Sequence, residues 1–315
     1  MTRLTSITLR QLTYFVVTAE MGQVAKAAAE LNISQPAITT AIRDLEHLLG
    51  TRVFVRTPSG MDLTAYGKLV LSAANSILSR VDDLMNLPSE ESTAEGEVSL
   101  ATTYTVLGYF LTPHLQRLGR LYPKLTIRVH ELPRQEIERG LLDERYDMAL
   151  LLTSNIVSTE LKLQTLVASP RRLWLHAQHP LLKQNAVTLA DVAAEPYVML
   201  TVDEAADTAS RYWSRTPHQP RVVLRTSSVE AVRSMVANGN GVAILSDMVY
   251  RPWSLEGKRI ETVVLTDPIP SMEVGLAWNP ALSSTPAAEL LRNYFRQLYL
   301  TPGAASGAVD GLHKR

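Results

Sequence analysis

Apolar residues recur at helical spacing in three short runs near the start of the chain. Leu9, Leu12, Phe15, Val16 and Ala19 mark a first helix and Gly22 a turn. Ala25, Ala27, Ala28 and Leu31 mark a second helix whose small side chains let neighbours approach closely. A third helix begins at Ser34, whose hydroxyl can accept from the free N–H groups of the first turn. Pro36 sits in that turn, where its missing N–H costs nothing. Ile38, Ile42, Leu45 and Leu49 form the apolar face of this helix and leave Gln35, Thr39, Thr40 and Arg43 on the other. Gly50 can end it in a left-handed conformation. Val53, Phe54 and Val55 then read as a strand, Pro58, Ser59 and Gly60 as a turn, and Leu63 as part of a returning strand. The pattern predicts three packed helices beside a hairpin wing.

From Thr64, a plausible N-cap, to Leu87 there is no proline, and Val70, Ile77 and Leu84 recur every seven residues with Ala73, Ala74, Val81 and Leu87 beside them. This narrow seam predicts a long dimerising helix, stopped by Pro88 and followed by a Ser/Glu-rich hinge. Beyond it the pattern changes to short apolar strands alternating with helices. Strands are expected at Glu97–Thr102, Leu125–Val129 and Met148–Leu152, with helices through Leu111, Leu115 and Leu118 and over Ile137–Leu142. After Leu161–Val167 the alternation restarts with Arg172–Ala177, Val198–Leu200, a helix near Ala206–Arg215 and a strand over Val222–Thr226. Ser227 and Glu230 form a possible capping box for a helix to Ala237, Val242–Leu245 is another buried strand, and Pro286–Tyr299 a closing helix. The fold class is α/β multidomain, and two sheets imply two lobes.

The polar face of the third helix suits DNA. Gln35 and Arg43 can make paired hydrogen bonds to purine edges, and Thr39 and Thr40 offer a methyl to thymine or a hydroxyl to phosphate. A solvated surface helix would look the same in isolation; the two helices before it and the wing after it favour the DNA reading. Arg52 and Arg56 flank the wing and could hold phosphate, although arginines in hairpins are commonly just solvated.

The stretch from Leu9 to Gly67 resembles the LysR-type transcriptional regulators. The motif elements stand in order and spacing: Ala27-Ala28, Leu31, Ser34 to Ala37, Asp44 to Glu46, and Gly50 to Arg56. Gln23 and Thr39 depart from it, each standing where the family commonly has serine. The resemblance implies a winged helix-turn-helix over 1–65, a dimerising linker helix over 66–88, a hinge over 89–96 and an effector domain over 97–300. That domain is expected to be two-lobed and Rossmann-like, similar to type 2 periplasmic binding proteins. Lobe I takes about 97–165 and 267–300, lobe II about 166–266, and 301–315 reads as a disordered tail. DNA contacts are expected from Ser34, Gln35, Pro36, Thr39, Thr40, Arg43, Arg52 and Arg56. A homodimer assembling to a homotetramer, and RNA polymerase as a possible further partner, follow from the same resemblance.

Charge adds a constraint. The chain balances 31 basic against 31 acidic residues, and its first 65 residues carry six basic and five acidic side chains. So weak a field makes a single copy a poor DNA binder and favours two half-sites.

In two-lobed α/β folds, ligands sit beyond the carboxyl ends of the strands, where helix N-termini offer N–H groups. That rule selects Thr102, Thr103 and Tyr104 after the first strand, Thr153 and Ser154 after the third, and Thr201, Asp203, Ser227, Ser228 and Ser246 in lobe II. Their hydroxyls suit a small polar or anionic metabolite, with Thr103, Ser154 and Ser228 foremost, although each singly could be an ordinary cap or turn residue. No cofactor is expected: Gly239-x-Gly241 precedes its strand, the reverse of the dinucleotide order. His176-x-x-His179 lacks a third metal ligand, there is no Gly-x-Ser-x-Gly elbow, and no cysteine is present. An enzyme is disfavoured. The alternative reading, a transport-type binding protein with a helical appendage, would need an export signal; none is evident, nor is a spanning segment, and a cytoplasmic protein is expected.

Overall fold

Thr8 starts the first helix by a reciprocal cap: its hydroxyl accepts from the N–H of Gln11, whose side chain accepts from the N–H of Thr8. The computed structural model describes residues 7–57, 60–85 and 95–300. They fall into two compact units, one within 1–88 and one within 89–305.

In the first unit, helices α1 (Leu9–Met21), α2 (Val24–Glu30) and α3 (Gln35–Leu49) pack around Phe15, Ala27, Ile38 and Leu45, all fully buried. Strands β1 (Phe54–Thr57) and β2 (Gly60–Leu63) form the antiparallel wing. Two contacts fix the wing to the helices. Met61 donates its N–H to the Gly22 carbonyl at 2.7 Å, and a Cβ on Gly60 would lie 2.3 Å from that same oxygen, so only glycine permits the approach. On the other side Glu46 of α3 accepts from the N–H groups of Val53 (2.8 Å) and Phe54 (3.3 Å). Ser34 occupies the N-cap of α3, but its hydroxyl makes no capping bond and the residue stays exposed. Thr64 does cap the long helix α4 (Ala65–Met85), accepting from the Gly67 N–H at 2.8 Å.

The expected seam of α4 divides between two faces. Val70 and Ala74 turn inward onto the three-helix core, whereas Leu69, Ala73, Ile77 and Leu84 are exposed. A helix that both closes a small core and carries a second apolar stripe meets two demands at once. Pro58, Ser59, Leu87, the hinge up to residue 94 and the tail 301–315 lie outside the described residues; Gly96, the last hinge position, opens the next strand.

The second unit begins with β3 (Gly96–Thr102). A continuous helical segment follows, made of α5 (Tyr104–Val106), a π turn (Leu107–Leu111) and α6 (Thr112–Leu121). Next come β4 (Leu125–Glu131), α7 (Arg134–Leu142), β5 (Met148–Leu152) and β6 (Lys162–Ser169). Lobe II contains β7 (Arg171–His176), α8 (Leu189–Ala193), β8 (Pro196–Leu200), α9 (Ala205–Trp213), β9 (Arg221–Thr226), α10 (Val229–Ala237), β10 (Ala243–Ser246) and β11 (Ile260–Val263). The chain returns to lobe I with β12 (Met272–Trp278) and α11 (Pro286–Leu300).

Lobe I has a five-stranded sheet ordered β4-β3-β5-β12-β6, parallel except where β12 runs against β5 and β6. Lobe II has an antiparallel sheet β10-β7-β11 and a parallel pair β8-β9, joined by a bridge between Tyr197 and Val242. The lobe boundary expected near residue 166 falls inside β6, because pairing with β12 holds that strand in lobe I as far as Ser169. The cap of α10 is also one residue later than expected. Ser228, in extended conformation, accepts from the Ala231 N–H, while Ser227 remains exposed in the preceding turn.

Candidate functional site

On the first unit, Gln35, Pro36, Thr39, Thr40 and Arg43 are exposed, one to two turns apart on the face of α3 opposite its buried Ile38, Ile42 and Leu45. The Arg43 side chain is 74% exposed and lies 3.6 Å from Asp44, a spacing that holds it only loosely. Thr39, an exposed residue, donates its hydroxyl to the Gln35 carbonyl at 3.0 Å, which leaves the oxygen able to accept. Thr39, Arg43, Arg52 and Arg56 line one concavity between α3 and the wing, floored by Ile42, Phe54 and Met61. Helix and wing therefore present one threonine and three arginines to the same concavity.

In the second unit, loops that follow β3, β4 and β5 of lobe I meet the loop that follows β8 of lobe II. Asp203 accepts from the Thr105 N–H at 2.6 Å, at the start of the helical segment after β3. The neighbouring Glu204 pairs with the Arg134 guanidinium at 3.1 Å and accepts from Asn155 at 3.3 Å; Asn155 also donates to the Asp203 carbonyl. Arg134 is bonded in addition to Glu138 one turn along α7. Burial disfavours its charge, but the two carboxylates outweigh that and raise its pKa. A second bridge lies at the π turn, where Tyr109 donates its hydroxyl to Glu230 of α10 at 3.3 Å.

Asp203 and Glu204 are both left-handed, at φ 49° and 55°. For residues other than glycine this costs roughly 1–2 kcal/mol each, and a pair in succession persists only where contacts over-determine it. Here those contacts are the charge-assisted bonds to the opposite lobe.

The expected ligand residues divide. Thr103 and Tyr104 lie beside the Asp203 contact. Thr103 is 2% exposed, and its hydroxyl has no hydrogen-bond partner although it stands at a helix N-cap. Thr102, one residue earlier, is fully buried at the end of β3. Ser154 and Thr201 are exposed in the loops after β5 and β8. Three hydroxyls are engaged elsewhere: Thr153 with Thr165 at 2.9 Å, Ser228 in its cap, and Ser246 donating to Ser169 at 2.7 Å where the chain crosses between lobes. Sequence reasoning misses Arg134, Glu138, Asn155, Glu204 and Tyr109 as site residues, and Glu230, expected in a capping box, instead accepts from Tyr109 and Arg233. Only the one-turn spacing of Arg134 and Glu138 on a helix face signalled a pair; the interlobe pairs meet across more than forty residues of chain. His176 and His179 face each other with ring centres 5.1 Å apart, and among the described residues no three metal-ligating side chains cluster.

Two family models match the sequence. Residues 9–68 match the bacterial regulatory helix-turn-helix protein of the lysR family, and residues 91–299 match the LysR substrate binding domain. The chain is 29% identical over 278 residues to the DNA-binding transcriptional dual regulator OxyR of Escherichia coli K12, covering 86% of this chain and 89% of that protein. It is 27% identical over 275 residues to the hydrogen peroxide-inducible genes activator of Pectobacterium carotovorum subsp. carotovorum, covering 86% and 90%. Among solved structures, HinK, a LysR family transcriptional regulator from Pseudomonas aeruginosa, superposes with a TM-score of 0.61 at 27% identity, covering 93% of this chain and 99% of that one.

Proposed function

The chain belongs to the LysR family of transcriptional regulators, and from that premise we propose that α3 reads base edges while Arg52 and Arg56 of the wing hold phosphate. The single observation that carries this reading is the shared concavity in which Arg43 and Thr39 face the wing arginines. A small polar or anionic metabolite held between the lobes controls the binding. The hydrogen peroxide in the names of some relatives does not transfer through thiol chemistry, since none of these 315 residues is cysteine.

Two copies pair through the exposed stripe of α4, and further association gives a tetramer. Leu69 and Leu84 are 68% and 65% exposed, an apolar display that a lone copy would leave in water. At a promoter, the assembled regulator meets RNA polymerase. The family is one of regulators rather than enzymes, and among the described residues no helix is long and apolar enough to cross a membrane. Work on promoter DNA puts the chain in the cytoplasm in this reading.

The test is a mobility-shift titration on the DNA upstream of the chain's own gene. Arg43→Ala is expected to weaken binding to the specific site by about 1–3 kcal/mol with little effect on unrelated DNA. Arg56→Ala is expected to weaken both alike and lower the salt slope by about one. Changed sequence preference in Arg56→Ala would remove the wing from the phosphate backbone, and no retardation by the unaltered chain at low salt would overturn the DNA reading.

A further inference from the structure

A second cavity lies at the end of lobe I away from the cleft. The cleft is bordered by loops that follow β3 and β5, whereas this cavity, of about 310 Å³, is walled by residues just before β5 and by those that lead from β12 into α11. Its size is at the small end of the range for metabolite pockets, roughly 300–1,000 Å³.

One wall is positive. Arg292, near the start of α11, has a side chain only 18% exposed; its guanidinium stands 5.0 Å from the centre of the Trp278 ring and bonds the Ser284 hydroxyl at 2.8 Å. Its ion-pair partner among the described residues is the exposed Glu289 of the same helix, 3.8 Å away, a weak hold. A guanidinium fixed in plane by a ring and a hydroxyl is prearranged for a carboxylate, which it can meet with two parallel bonds. The start of α11, where Thr285 accepts from the Ala288 N–H at 3.1 Å, adds the positive end of a helix to this wall.

The other wall is negative. Asp147 accepts from the Ser99 N–H at 2.7 Å through one carboxylate oxygen, and Glu144, exposed and left-handed at φ 62°, has no ion-pair partner among the described residues. Arg145 between them turns instead to Asp143, at 3.7 Å. The Tyr146 ring is set tightly against Gly140, where a Cβ would lie 2.3 Å from it, so this wall is fixed as well. Arg292 pairs with neither Glu144 nor Asp147, so opposite charges line one cavity without meeting. A ligand with a single charge answers one wall; a ligand with both signs answers each in turn.

We propose that this cavity is a second small-molecule site and that it takes a zwitterionic amino acid, its carboxylate on Arg292, its ammonium on Glu144 and Asp147, and its carbon chain against Trp278 and Tyr146. Because the two walls do not meet, the amino group stands several carbons from the carboxylate. The cavity shares no residue with the cleft, and the proposal stands apart from the effector reading.

Fluorotryptophan incorporated into the full chain gives one fluorine resonance for each of the four tryptophans, and Trp278→Phe identifies the one at this site. The probes are γ-aminobutyrate and ε-aminocaproate, with sodium butyrate and butylammonium chloride as singly charged controls at constant ionic strength. The expected result is a saturable shift of the Trp278 resonance at millimolar amino acid, with binding of either control about tenfold weaker. Glu144→Gln combined with Asp147→Asn keeps an acceptor for the Ser99 N–H and removes both negative charges. That variant is expected to bind the amino acids no better than butyrate and to leave the butyrate response itself unchanged, whereas a purely structural disturbance of the wall would alter both. No saturable shift at Trp278, equal affinity for γ-aminobutyrate, ε-aminocaproate and butyrate, or undiminished amino-acid binding in the double variant overturns the proposal.

Discussion

His114 is the residue whose surroundings most constrain its chemistry. Its ring nitrogens lie 2.9 Å from the hydroxyls of Tyr294 and Tyr299 on α11, and Phe110 and Phe295 pack against the ring. Burial, reinforced by the nearby Arg117 charge, lowers its pKa from 6.5 to about 4. A neutral imidazole can accept from one tyrosine and donate to the other; a protonated one can only donate. As pH falls through 6.5 the unfolded chain takes up a proton that the folded chain refuses until near 4. His114 therefore costs nothing above pH 6.5 and destabilises progressively between 6.5 and 4, by up to about 3 kcal/mol. Acid unfolding of His114→Gln, which keeps one donor and one acceptor, is expected to show a shallower loss over that window. Identical slopes in the two proteins would place the proton uptake elsewhere. His176 and His179, a pair without a third metal ligand, draw notice in the sequence for their spacing alone. His114 carried no such signal, because its partners lie 180 and 185 residues away.

At the scale of elements, helix α3 is legible because its evidence is local. Its apolar period, Pro36 in the first turn and the left-handed Gly50 at the end all lie within sixteen residues, and helix formation reads such short-range signals directly. The clasp between helix and wing was visible only as a motif glutamate. Its structural reason is that the Glu46 carboxylate satisfies two N–H groups at the entry to the wing, beside the fully buried Val53. Bonds to a charged acceptor are worth about 1.5–3 kcal/mol net, and leaving buried donors unmade adds to the loss. Glu46→Ala is expected to destabilise the first unit by about 2–4 kcal/mol and to speed amide exchange at Val53 and Phe54 above all. With the wing loosened, Arg52 and Arg56 are no longer held opposite Arg43, and DNA affinity should fall even where the helix remains folded. Unaltered exchange at those two amides would show that the wing is held by the Gly60 contact alone.

For the whole molecule, distance along the chain separates what sequence reveals from what it hides. Two α/β lobes follow from the alternation of strands and helices. The cleft contacts do not: Asp203 meets Thr105 across 98 residues and Glu204 meets Arg134 across 70, and no periodicity encodes such meetings. Strand β6 illustrates the same limit, since only pairing with a strand a hundred residues later fixes it in lobe I. Charge, by contrast, is a property of the whole that sequence reports fully. With six basic and five acidic side chains in its first 65 residues, one DNA-reading unit has almost no net field to supply the counterion-driven affinity on which DNA binding depends. Affinity must then come from joining two units, whose second contact is made at an effective concentration set by their linkage. Ile77 offers the means to separate these effects, because it is 45% exposed on α4 and its replacement removes no core packing. Ile77→Glu is expected to sediment as a smaller species, to keep the helical content and thermal transition of the first unit, and to lose about 10²–10⁴ in affinity for a two-half-site operator. Affinity for a single half-site should change little. A variant that still sediments with the unsubstituted chain, or a monomer that binds the full operator undiminished, would contradict pairing through this face and leave the near-neutral charge of the DNA-reading unit to be offset in some other way.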